Sequence, residues 1–83
     1  MESKFRVYTD KRCVLDKKCA LSIASELSSD FSIFVGITNE FCFFDVFSNL
    51  SNYDAAVDAF TSKLVVALPD FWSYAENRIE EIK

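Results

Sequence analysis

The chain contains no histidine, and that absence excludes more than any other. Nucleophilic catalysis by serine or cysteine normally recruits a neighbouring base, most often an imidazole, and many metal sites use the same ring. A single glycine and a single proline rule out a phosphate cradle of the P-loop or GxGxxG type and leave no long flexible linker. No apolar run approaches the roughly 20 residues needed to span a bilayer, so no membrane partner is expected. The segment MESKFRVYTDKR lacks the apolar core of a signal peptide, which makes a cytoplasmic location the expectation. The three cysteines, Cys13, Cys19 and Cys42, are an odd number without an export signal. Free thiols in a reducing compartment are therefore expected rather than a disulfide framework. Cys13 and Cys19 form no CxxC pair, and a zinc site would have to be completed by Cys42 and a carboxylate. Buried, inert thiols are the simpler reading, and neither metal nor cofactor is expected.

What is abundant is apolar surface. The 83 residues are 51% hydrophobic and 16% aromatic, which excludes disorder and suits one domain over residues 1–83, close to the smallest size that folds alone. The net charge of −4 hides an asymmetry. Residues 1–18 carry six bases against three acids, and the remainder carries three bases against ten acids. The expected object is a basic lip (Lys4, Arg6, Lys11, Arg12, Lys17, Lys18) on an acidic body.

Along the chain, Phe5 to Thr9 alternate and are rich in strand formers, giving a first strand. Asp16 is placed to cap a helix, with Leu15 and Ala20 as a hydrophobic staple across its start. Cys19, Ala20, Ile23, Ala24 and Leu27 recur at helical spacing. Residues 31–48, FSIFVGITNEFCFFDVFS, hold six of the nine phenylalanines and read as a hairpin turning at Asn39-Glu40. That turn pairs Ile37 with Cys42, Val35 with Phe44 and Ile33 with Val46. It also sets Gly36 opposite Phe43, where the ring can cover bare backbone. One face is then Phe31, Ile33, Val35, Ile37, Cys42, Phe44 and Val46, a core face. The other carries Phe34, Phe41, Phe43, Asp45 and Phe47, more apolar than a solvated sheet requires. Ser51 is expected to cap a helix continuing through residues 63–68 to Pro69, although the β-branched run at 63–68 also suits a strand. A last helix is expected from about Asp70 to Ile82, folded partly over the second hairpin face. The fold class that follows is α+β: a small antiparallel sheet of about three strands with two to three packed helices, in the order β-α-β-β-α-α.

No catalytic or ligand signature emerges. Asp54 and Asp58, four apart on a helix, read as a solvated face. Asp45 reads as an edge-strand aspartate reaching water, or as an acidic anchor within an aromatic contact patch. Aromatics interleaved with bases on a sheet would suit RNA, but the hairpin carries no lysine or arginine, so nucleic acid is disfavoured. The expected function is a non-catalytic protein-binding module that inhibits a partner stoichiometrically. The compositional analogy is to inhibitors, antitoxins and immunity proteins, including phage-encoded inhibitors of bacterial defence such as anti-CRISPR proteins. The acids Asp54, Asp58, Glu76, Glu80 and Glu81 would meet a basic partner groove, one that normally holds nucleic acid. Phe34, Phe41, Phe43, Asp45 and Phe47, with Tyr8, Trp72 and Tyr74, are the aromatic contact candidates. Two alternatives stand beside this: a homodimer formed through the aromatic face, and weak nucleic-acid binding through the basic lip.

Overall fold

A computed structural model describes residues 3–82. Strand β1 (Ser3–Asp10) leads to helix α1 (Lys17–Leu27), then to the hairpin β2 (Phe31–Ile37) and β3 (Phe41–Ser48). Helix α2 (Tyr53–Ala67), a 3₁₀ turn (Phe71–Ser73) and strand β4 (Arg78–Glu81) complete the order. The four strands form one antiparallel sheet in the order β2-β3-β1-β4. Each helix joins two strands that have another strand between them, the split β-α-β arrangement of ferredoxin-like domains. The sheet thus has four strands where about three were expected. No described helix is long and apolar enough to cross a membrane.

Alternation along β1 sends Phe5, Val7 and Thr9 to one side, where each is fully buried. Cys42, Phe44 and Val46 of β3 lie beside them. Onto this surface α1 sets Ala20, Ile23, Ala24 and Leu27, and α2 sets Ala56, Phe60 and Leu64. Phe60 is the hinge of the packing, with its ring edge-on to Phe5 (5.5 Å) and to Phe31 (5.3 Å). Burial of such a side chain contributes roughly 2–3 kcal/mol.

Local chemistry explains the element ends. The Asp16 carboxylate accepts from the Cys19 amide at 2.9 Å and starts α1 as expected. Leu15 is exposed, so the staple with Ala20 is not made. The cap of α2 is Asn52, accepting from the Ala55 amide at 3.0 Å, one residue later than the expected Ser51. Residues 63–67 continue that helix, which stops before Pro69. At the hairpin, Asn39-Glu40 turn without any positive φ. The Thr38 hydroxyl instead accepts from the Glu40 and Phe41 amides, which stands in for an Asn-Gly signal.

The expected last helix does not form, and Glu76, Glu80 and Glu81 are not on a helical face. Its apolar spacing was a coincidence of composition: Trp72 and Ala75 are exposed, while Ile79 faces the helices only because β4 alternates. What decides the segment is the long edge of β1, whose Lys4, Arg6, Tyr8 and Asp10 backbone groups point away from β3. β4 pairs with that edge from Phe5–Glu81 to Tyr8–Arg78, and the Ile82 amide continues to the Lys4 carbonyl. Beyond the ladder the buried Asn77 side chain takes over, accepting from the Asp10 amide and donating to the Phe71 carbonyl, both at 2.7 Å. Replacing it strands two backbone groups. Asn77→Ala should lower unfolding free energy by about 2 kcal/mol in urea titration and speed exchange of the Asp10 amide.

Candidate binding face

Because β1 and β3 are adjacent and both helices lie on the other side, the second sheet face stays open along its length. On it stand Ser32, Phe34 and Gly36 of β2, and Phe41, Phe43, Asp45 and Phe47 of β3. Beside them stand Lys4, Arg6, Tyr8 and Asp10 of β1, and Arg78 and Glu80 of β4. Among the described residues no helix crosses it, so the expected partial cover by a final helix is not made. Phe34 is 64% exposed, while Phe41, Phe43 and Phe47 are half-buried, with Tyr8, Phe34 and cations beside their rings.

The cations and rings interlock. Register sets Arg6 opposite Asp45, and the guanidinium donates to both carboxylate oxygens at 2.6 and 3.0 Å. These hydrogen bonds raise the Arg6 pKa, and the cation is fixed 4.3 Å above the Phe43 ring centre. Arg78 lies 4.1 Å over Tyr8, and Lys4 lies 5.8 Å from the centre of Phe47. Tyr8 meets Phe41 edge-on at 4.9 Å, and Phe34 meets Phe47 at 5.6 Å. Two expectations are corrected. Asp45 is not on an edge strand, because β3 is internal. Nor are bases and aromatics separate: β1 and β4 bring Lys4, Arg6 and Arg78 among the phenylalanines. Pairing of β1 with β3 is long-range, and the hairpin sequence alone gave no sign of it. Arg78 was missed because its segment reads as a helix and reaches the face only through the pairing of β4 with β1.

Gly36 has ordinary φ, so its role is space. A Cβ there would overlap the Phe43 ring, the covering of backbone that the hairpin pairing predicted.

The other candidate residues scatter. Asp54 and Asp58 are exposed on α2, and Glu81 points to the helix side of β4. Glu80 instead lies on the open face, bound to Arg78 at 2.8 Å. Glu76 lies 3.6 Å from Arg12. The basic lip divides likewise, with Lys4 and Arg6 on the face, Lys11 and Arg12 in the turn after β1, and Lys17 and Lys18 opening α1. Arg12 donates to both Asp10 oxygens at 3.0 and 2.9 Å, and these bonds pull that carboxyl down to about 2. Trp72 is exposed but stacks edge-on to Phe71 in the 3₁₀ turn, and Tyr74 lies under Arg12.

Chemistry is sparse elsewhere. The three thiols are free, and burial raises the Cys13 and Cys42 pKa values. Among the described residues no three cysteine, aspartate or glutamate side chains gather as a metal site would require. A concavity of about 620 Å³ between α1 and α2 is lined by Glu26, Leu27, Lys63 and Val66 and gathers no reactive group. Comparison of the chain with family models, curated proteins and solved structures finds no match.

Two measurements probe this face and its margin. Gly36→Ala should cost about 1 kcal/mol in the native background, yet in Phe43→Ala it should stabilise by about 0.5 kcal/mol, because only backbone entropy then remains. A lowered Asp10 pKa means a contribution present above the usual value near 3.8 and lost as pH falls through about 2. In Arg12→Ala, NMR titration of the Asp10 carboxyl should therefore move up from about 2 toward 3.8.

Proposed function

We propose that the protein is a non-catalytic protein-binding module and that the open sheet face is its contact surface. One observation carries this: Tyr8, Phe34, Phe41, Phe43 and Phe47 share a helix-free face with Arg6 and Arg78. Tyrosine, phenylalanine and arginine are enriched where binding energy concentrates, while ordinary solvated sheet faces carry short polar side chains. Ion pairing holds Arg6 and Asp45 in place before binding, which reduces the entropy lost on docking. The mode of action consistent with such a surface is stoichiometric inhibition by occlusion, as in inhibitor, antitoxin or immunity proteins, phage-encoded inhibitors of bacterial defence among them. Asp54, Asp58 and Glu81, on the helix side, would steer the module toward a basic partner rather than form its contact.

A second reading, single-stranded nucleic acid, is favoured by one feature, the placement of Lys4, Arg6 and Arg78 among the rings. Asp45 within the same face, Glu80 at its β4 margin and the net charge of −4 oppose phosphate.

The test is affinity capture from the native host followed by purified binding. Phe34→Ser/Phe41→Ser/Phe47→Ser should weaken the captured complex by at least about 100-fold. Charge reversal at Asp54, Asp58 and Glu81 should chiefly slow association and flatten its salt dependence. Full binding by the serine variant would refute the face. A low-salt shift of RNA or single-stranded DNA abolished by Arg6→Ala would replace the protein partner with nucleic acid.

A further inference from the structure

The two edges of the sheet are built differently. Edge β4 is four residues long and reads Arg-Ile-Glu-Glu, short and charged as protected edges are. Edge β2, Phe31–Ile37, is seven residues long and reads FSIFVGI, with no charge, no proline and an unbroken register. An edge of this kind invites another strand.

The direction of its free backbone groups follows from the turn. The Thr38 amide donates to the Phe41 carbonyl at 2.8 Å, which makes Thr38–Phe41 a hydrogen-bonded pair. Alternation along the ladder then turns Ser32, Phe34 and Gly36 toward β3 and leaves Phe31, Ile33, Val35 and Ile37 with amides and carbonyls facing outward. No hydrogen bond of the described residues reaches those four groups. Their side chains extend the core stripe to the rim: Phe31 is buried, Ile33 and Val35 are half-covered, and Ile37 is 45% exposed.

We propose that β2 pairs with β2 of a second copy of this chain, antiparallel about a two-fold axis at Phe34, joining two sheets into one. That register places Phe31 opposite Ile37 and Ile33 opposite Val35, so every outward amide of the four finds a carbonyl. A shift of the axis to Val35 would leave Phe31 unpaired. The register also avoids like charges, with Asp30 opposite Thr38 and Glu40 opposite Ser28. The occupant is the chain itself because the strand is its own complement: isologous, uncharged, and apolar on the helix side where the half-covered Ile33, Val35 and Ile37 would meet their counterparts. This contact meets the open face only at its β2 rim, where the two Phe34 side chains would stand side by side, and the dimer would lengthen that face rather than consume it.

Sedimentation velocity from about 1 µM to about 1 mM should show a monomer–dimer equilibrium. Ile37→Lys, at the rim and off the open face, should weaken dimerisation at least about tenfold. Phe41→Ser, on the open face, should leave it unchanged. Amide exchange gives a second measure that needs no variant. Raising concentration should slow Phe31, Ile33, Val35 and Ile37 while Ser32, Phe34 and Gly36 stay as they are. A monomer throughout, a dimer abolished by Phe41→Ser but not by Ile37→Lys, or protection lacking that alternation would each overturn the proposal. Presence or absence of the edge dimer leaves partner binding by the face undecided, whereas a dimer lost in Phe41→Ser would assign that face to self-association.

Discussion

The register between β1 and β3 governs the rest of the molecule. With Phe5 opposite Val46 and Val7 opposite Phe44, two apolar pairs fall on the helix side and form the floor beneath Phe60. The same register necessarily sets Lys4, Arg6 and Tyr8 beside Phe47, Asp45 and Phe43 on the other side. A slip by one residue would invert both faces at once, burying Arg6 and exposing Phe5. Core and open face are therefore not independent features. Selection of one fixes the other.

The hairpin was legible in the sequence because its information is local. The two-residue turn, the alternation of Phe and Ile, and the single glycine opposite Phe43 lie within eighteen residues, and the observed pairing matches them. The helices were legible for a similar reason: Asp16 and the Ala20-Ile23-Ala24-Leu27 spacing encode α1, and Phe60 and Leu64 encode α2. The segment after Pro69 was not. Its spacing of Phe71, Ala75, Ile79 and Ile82 is as helical as that of α2, and only the vacant edge of β1, more than sixty residues away, makes it a strand. Tertiary demand overrode local periodicity there.

The candidate site shows the same division. Phe34, Phe41, Phe43 and Phe47 were identifiable as surplus apolar positions on one hairpin face, with Asp45 the lone charge among them. That Arg6 answers Asp45, and that Arg78 lies over Tyr8, required knowing which strands are neighbours. A lone aspartate in a run of phenylalanines looks costly until its partner is found. The partner here is a cation that also caps an aromatic ring, so one guanidinium satisfies a carboxylate and covers apolar surface together.

The central position of β1 also shapes how the chain reaches this state. Both of its neighbours arrive late: β3 some forty residues on, and β4 more than seventy. Only the β2–β3 hairpin and the two helices can assemble from nearby residues, and neither encloses Phe5 or Val7. Much of the loop-closure entropy must be met before the core exists, so folding is expected to be slower than for a helical bundle of the same size. During that interval the aromatic hairpin stands complete but uncovered, a transient surface open to association.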